Sequence, residues 1–323
     1  MDLRSRRGPL DGFAAAVGPC GPVTCVGGRT QWEVGGPVDA HAREVSAPAG
    51  VVAHEPGEMI VRVRAGTTVA ELAEATAVGG QFVALEADEP GRATVGGVLA
   101  CGRSGLRRLG WGPLRDAVLE VTAVDSTGTL IRAGAPLVKN VTGFDLCRLM
   151  VGSVGTLGFL AEVVLRCRPR PEVERWWQAE DADPFALFAG LYRPLAVLWD
   201  GTRTWVGLAG YRADVEDQAA AVLDRRFTPV EGPPAPPGTA RRSLAPAALR
   251  TVPAATGGNG RWLAEVGVGV VHCDGEAADR LPTPPVTAEV ADLHRRVKDR
   301  FDPEGRLNPG RSPLGSAAPE PVR

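Results

Sequence analysis

An α+β fold in two units is predicted for this sequence of 323 residues by three observations. Short β-branched runs alternate with segments of helical periodicity, the mixture of two hydrophobic periods expected of such chains. Pro169 and Pro171 separate a glycine-rich first half from the second half of the chain. Beyond them the elements come in the order β-α-β-β-α-β, the ferredoxin-like pattern. The length suits two ordinary domains. The boundaries expected are 1–171 for the first domain, 172–285 for the second, 286–311 for a terminal helix and motif, and 312–323 for a disordered tail rich in Pro, Ser and Ala.

Residues 10–17 form a short helix ended by Gly18 and Pro19. A buried strand from Pro22 to Val26 runs into the glycine turn Gly27-Gly28-Arg29-Thr30. Strands come next at 50–54 and 59–64, the second placing Ile60, Arg62 and Arg64 on one face and Val61 and Val63 on the other. Thr68 caps a helix reaching about Val78, and Glu71 three residues later completes a capping box. After a short strand near 82–85, residues 94–102 read as a small-residue helix or turn that allows close backbone approach. Residues 117–125 and 129–132 form a hairpin around Ser126-Thr127-Gly128, and Phe159 to Arg166 is a further strand. In the second domain, strands are expected at 173–178, 196–200, 204–210 and 261–271, with helices at 184–191 and 214–227. A proline-rich loop spans 228–246, and the terminal helix covers 286–301.

Composition excludes several classes of function. The formal charge of −2 carries no excess of cations for nucleic acid. Apolar runs are interrupted well before the ~20 residues a membrane helix needs. Ser5-Arg6-Arg7 lacks the apolar region that would come after it in a secretion signal. The six cysteines form no CxxC pair, which disfavours zinc ribbons and an iron–sulfur cluster held by this chain alone, and reads as free thiols in the cytosol. The four histidines are isolated, so no metal site is expected; His272 reads as a satisfied strand-end residue. Only Lys139 and Lys298 are lysines, against 34 arginines.

The glycine clusters carry the readable chemistry. Gly27-Gly28-Arg29-Thr30-Gln31 comes after a strand, where backbone N–H groups can wrap a phosphate. It is neither a P-loop nor GxGxxG, and Gly152-Ser153-x-Gly155-Thr156-x-Gly158 has its own spacing. Each cluster alone is equally a tight turn. Taken in order, Ala65-Gly66, Thr94-Val95-Gly96-Gly97, Arg115-Asp116, Lys139-Asn140, Gly143-Phe144-Asp145, the 152–158 run and Glu162 resemble the FAD domain of the vanillyl-alcohol-oxidase and p-cresol-methylhydroxylase (PCMH-type) superfamily. Within it the Lys139–Asp145 wording, Arg115-Asp116 and the short length are most similar to the smaller FAD-binding subunits of bacterial glycolate oxidases. The segment from Val297 to Gly310 resembles the one that closes many of these flavoproteins.

The resemblance implies a PCMH-type FAD domain of two subdomains, a ferredoxin-like cap, and a terminal motif that closes back on the FAD domain. Carried over by position, Gly27, Gly28, Arg29, Thr30 and Gln31 wrap the pyrophosphate of FAD. Thr94, Gly96 and Gly97 lie near the flavin and ribityl chain, Ser153, Gly155, Thr156 and Gly158 on the isoalloxazine side, and the backbone of Glu162 and Val163 at the adenine end. The first glycine loop has no histidine, so noncovalent FAD is expected.

Oxidation of a small 2-hydroxy acid such as glycolate needs a base, a cation for the carboxylate, and hydride geometry over the flavin. No base stands out. Lys139 is the one catalytic candidate, as a charge near flavin or substrate, against an ion pair with Asp145. The leading reading is therefore a flavin subunit working beside a larger FAD-containing subunit and an iron–sulfur subunit, cytoplasmic and peripheral to the inner membrane face through that complex. A free-standing FAD oxidoreductase and a flavin-free structural subunit stay open beside it.

Overall fold

The computed structural model of the chain describes residues 3–136, 145–283 and 285–314. They group by packing into two units. The first takes in the described residues up to Gly105, Leu114–Arg170 and those from Val286 on; the second takes in Leu106–Pro113 and the residues from Pro171 to 285. The first unit opens with α1 (Leu3–Val17), β1 (Val23–Cys25), β2 (Arg43–Val45), β3 (Val51–Glu55), β4 (Ile60–Arg64), α2 (Val69–Ala77), β5 (Gln81–Phe82) and α3 (Val95–Cys101). After α4 (Arg108–Trp111), which belongs to the second unit, come β6 (Val118–Val124), β7 (Leu130–Gly134), α5 (Leu146–Met150), β8 (Phe159–Arg166) and β9 (Arg168–Pro169).

The core of the first unit is an antiparallel sheet in the order β3-β4-β8-β6-β7. Alternation along the strands sends Val61, Val63, Val121, Val163 and Leu165 to one face, where they bury against Leu72 of α2 and Val95, Val98 and Leu99 of α3. Each such side chain contributes about 1.5–3 kcal/mol on leaving water. The opposite face sets a network of charges beside the buried Val164. Arg62 donates to Glu120 at 2.7 Å and to Glu162 at 3.1 Å, and Arg132 also reaches Glu120, which is 1% exposed. Burial works against the Arg62 cation, but the two carboxylates outweigh it and hold its pKa above the ordinary value.

Local signals explain several boundaries. The Thr68–Glu71 capping box forms in both directions, with Glu71 N–H on Thr68 Oγ1 and Thr68 N–H on Glu71 Oε2. The first helix begins at Leu3 and runs through Pro9, seven residues before the start expected at residue 10. The strand expected near 82–85 shortens to β5, which pairs with β9.

The second unit continues with β10 (Val173–Glu180), α6 (Pro184–Gly190), β11 (Ala196–Trp199), β12 (Arg203–Gly210), α7 (Arg212–Val222), β13 (Thr228–Val230), β14 (Ala240–Ser243), α8 (Val252–Thr256), β15 (Trp262–Glu265), β16 (Val270–Cys273) and α9 (Gly275–Arg280). They build a seven-stranded antiparallel sheet, β13-β10-β12-β11-β15-β16-β14. Its β10-α6-β11-β12-α7-β13 portion is the β-α-β-β-α-β unit. The fourth strand of that unit is the short β13, not the 261–271 run. Pro229 hid it, and a proline is tolerated there because β13 is the outermost strand. Residues 261–271 are not one strand: they enter the β15–β16 hairpin, turned by Gly267 and Gly269 at φ of 83° and 89°.

The chain then returns to the first unit as α10 (Ala288–Phe301), capped by Thr287. Leu307 bridges alongside Val23, so the terminal segment joins the edge of the parallel β1–β2 pair. Ser312 N–H still donates to Gly35 at 2.8 Å, and the remainder of the expected tail, from 315, lies outside the described residues.

Candidate functional site

Three backbone segments of the first unit converge on one cleft of about 310 Å³: the loop after β1, the start of α3, and the loop before β8. The volume lies at the lower end of small-molecule pockets. In the first loop the N–H groups of Gly27, Gly28, Arg29, Thr30 and Gln31 have no acceptor among the described residues. Gly27 and Gly28 let the loop lie against its neighbours. A Cβ on Gly27 would sit 2.3 Å from Thr94 Oγ1, and one on Gly28 only 1.8 Å from the Arg92 carbonyl oxygen. The left-handed residue of this loop is Arg29, at φ 57°, not a glycine.

Helix α3 starts on Thr94, whose Oγ1 accepts from Gly97 N–H at 3.2 Å. Val95 N–H goes to Thr67 and Gly96 N–H to Ala65, at 2.9 and 2.7 Å, so those donors are already used. Gly96 is glycine because a Cβ would stand 2.7 Å from the Ala65 methyl. At Gly97 a Cβ would meet only Thr94 Oγ1, at 3.0 Å, and otherwise the open cleft.

In the third segment Ser153, Gly155 and Gly158 line the cleft. Thr156 turns away: its hydroxyl donates to the Ser153 carbonyl at 2.7 Å and its own carbonyl receives Lys298 Nζ at 2.8 Å. Glu162 and Val163 lie further along β8 and do not line it; the Glu162 side chain is committed to Arg62. Lys139, Asn140, Gly143 and Phe144 lie outside the described residues. Asp145 caps α5 and pairs with Arg148 at 3.2 Å.

A smaller cavity of about 70 Å³ adjoins the cleft and is lined by Arg29, Thr30, Gln31, Trp32, Cys101 and Arg311 among others. The guanidinium carbons of Arg29 and Arg311 lie 4.7 and 4.3 Å from the Trp32 ring centroid. Arg29 also pairs with Glu44 at 2.6 Å. Burial lowers the Arg311 pKa, with Cys101 and Glu33 opposing, and burial raises that of Cys101, keeping the thiol neutral. Gln31 Oε1 and Arg311 Nε are buried without partners. Arg311 donates to the Val34 and Trp32 carbonyls, so the donor set offered to a dianionic pyrophosphate is the five unpaired N–H groups, with the charge of the arginines beside them. The residues present therefore fit the dinucleotide that the resemblance implies.

No described histidine, aspartate or glutamate lines either cavity. No cluster of metal-ligating side chains occurs among the described residues. His272 lies in the second unit, buried on β16 and 2.7 Å from Glu265 Oε1. Sequence reasoning missed Arg92, Ser46, Ala47 and Asn308 as lining residues. Asn308 lay within a recognised motif, but only its left-handed φ of 45° and its buried amide reveal its place.

Residues 14–134 match the family described as FAD binding domain. Glycolate oxidase subunit GlcE of Escherichia coli (strain K12) is 28% identical over 334 residues, covering 94% of this chain and 95% of that protein. Glycolate oxidase subunit GlcD of Bacillus subtilis (strain 168) is 35% identical over 113 residues, 35% of this chain and 24% of its own length. A D-lactate dehydrogenase of Anaerostipes hadrus is 33% identical over 156 residues, covering 47% of this chain and 32% of that protein. Among solved structures, alkyldihydroxyacetonephosphate synthase superposes with a TM-score of 0.67 at 14% identity, over 95% of this chain and 74% of that one. That likeness shows a shared fold. No helix among the described residues is long and apolar enough to cross a membrane.

Proposed function

We propose that this chain, whose residues 14–134 are an FAD-binding domain, is the FAD-binding subunit of a glycolate-oxidase-like oxidoreductase. The observation that carries the reading is the end-to-end match to GlcE, which spans 95% of that protein, whereas GlcD is matched over only 24% of its length. The partners in this reading are a larger FAD-containing subunit of the GlcD kind and an iron–sulfur subunit. The complex oxidises a small 2-hydroxy acid, glycolate to glyoxylate, at the inner face of the membrane.

When bound, FAD would supply a carrier able to take up and pass on electrons released at the larger subunit. The chain's own residues hold it noncovalently. The N–H groups of Gly27 to Gln31 bind the pyrophosphate, with Arg29 adding positive charge at the same loop. Gly97 and Ser153 form walls that keep water from the cofactor. No described lining residue is a carboxylate or imidazole. Coverage of 95% of GlcE but only 24% of GlcD supports substrate oxidation at the larger subunit over a free-standing oxidase.

The test compares the isolated, FAD-loaded chain with the reconstituted complex, following anaerobic flavin reduction by glycolate. Slow or absent reduction in the isolated chain, restored by the partners, is expected. Efficient glycolate turnover by the chain alone would overturn the subunit reading.

A further inference from the structure

We propose that Asn308 is a positioning residue for the cofactor: its side-chain amide sets the separation of the two loops between which FAD binds. This inference rests on the reading that the 310 Å³ cleft takes FAD. The amide reaches both sides of the cleft. Its Oδ1 accepts from Thr24 Oγ1 at 2.7 Å and from Cys25 N–H at 3.2 Å, at the end of β1 just before the phosphate loop. Its Nδ2 donates to the Val154 carbonyl at 2.6 Å, in the loop before β8. Val154 N–H in turn donates to Ala100 of α3 at 2.9 Å. A single planar group thus ties together the three segments that line the cleft.

The residues around Asn308 are fitted to that purpose. Its backbone is held by its N–H on Val23 at 2.9 Å. Lys298 Nζ, which holds the Thr156 carbonyl, also bonds Leu307 at 3.1 Å, giving the same loop a second tether to the terminal segment. Arg306 donates to the carbonyls of Val17, Gly18, Cys20, Gly21 and Ser126, so the segment cannot slide along β1. At Gly155 a Cβ would stand 2.5 Å from Asn308 Nδ2, and the φ of 70° there favours glycine independently. Only a residue with an acceptor and a donor on one planar group serves both loops. Asp keeps the acceptor side but sets an oxygen against the Val154 carbonyl, and Leu loses all three bonds. If the loop before β8 leaves its cofactor-binding position for part of the time, apparent affinity falls by the fraction of chains still competent.

The experiment measures FAD affinity, FAD release and the visible spectrum of bound flavin for the full chain and for Asn308→Asp and Asn308→Leu. Apoprotein circular dichroism reports folding in parallel. We expect both variants to fold, to bind FAD at least tenfold more weakly, and to show altered flavin fine structure. Lowering the pH toward protonation of the new carboxyl should recover part of the Asn308→Asp loss, because a carboxylic acid can donate to the Val154 carbonyl, and should do nothing for Asn308→Leu. Thr24→Val, which removes one of two donors to Oδ1, should cost a few-fold and serves as the readout if the Asn308 variants do not fold. Wild-type affinity and spectrum in folded Asn308→Asp, or in Thr24→Val, would overturn the positioning role. A wild-type chain that binds no FAD would instead overturn the cofactor reading, and this inference with it.

Discussion

Gly97→Ala and Gly28→Ala should fail in opposite ways, although both glycines line the cleft. At Gly28 the new methyl would start 1.8 Å from the Arg92 carbonyl oxygen and 2.5 Å from its carbon. One of the two backbones must then retreat by about 1.6 Å to reach an ordinary 3.4 Å contact. Overpacking of that kind costs about 1–3 kcal/mol, and here it falls on the fold itself. At Gly97 the methyl meets only Thr94 Oγ1, at 3.0 Å, and α3 gains up to about 1 kcal/mol of helix propensity over glycine. The fold should therefore tolerate it, while the methyl takes space the cofactor needs. If the same overpacking is charged to the complex, FAD affinity falls about 5- to 150-fold. Thermal melts of the apoproteins and fluorescence titration with FAD separate the two effects. Gly28→Ala should melt several degrees lower, at roughly 2–4 °C per kcal/mol for domains of 150–250 residues, and Gly97→Ala within about 2 °C of wild type. Unchanged FAD affinity in Gly97→Ala, or an unchanged melt in Gly28→Ala, would refute this assignment of the two glycines.

Purified protein should be yellow, and acid precipitation should release intact FAD; colour retained in the pellet would show a covalent bond. Replacing Arg62 with Met should cost about 3–5 kcal/mol in urea denaturation, since buried Glu120 and Glu162 both lose a partner. Arg132→Met should cost less than 1 kcal/mol because Arg132 is largely exposed and Glu120 keeps Arg62. Burial pushes Cys147 and Cys167 up to about 11 from the ordinary 9.0. Unfolded thiols ionise first, so stability is full below about pH 9 and is lost as pH rises from there to about 11. Cys167→Ala should flatten that alkaline loss, and an identical slope would show that other groups cause it.

Much of the architecture arises from interactions within a few residues, and those parts were legible in the sequence. The Thr68–Glu71 box, the in-out alternation of β4 and the turn between β6 and β7 depend on backbone groups no more than about four residues apart. The glycine clusters were also legible, as was their order, because a phosphate cradle leaves its small residues in sequence. What each glycine does was decided only by tertiary structure. From the sequence, the glycines of the β1 loop read as freeing backbone N–H groups to wrap a phosphate. In the folded chain Gly28 meets Arg92, Gly96 meets Ala65, and Gly155 meets Asn308, while Arg29 takes the left-handed position. The fourth strand of the second unit was hidden for a related reason. Three residues containing Pro229 have little strand character of their own, and pairing with β10 makes them one. Asn308 is the extreme case, since its partner Thr24 is 284 positions away. Local propensity constrains the backbone near a residue, but the atoms that occupy the space beside a missing Cβ, or meet a buried amide, arrive from distant parts of the chain and are set only when the whole unit packs.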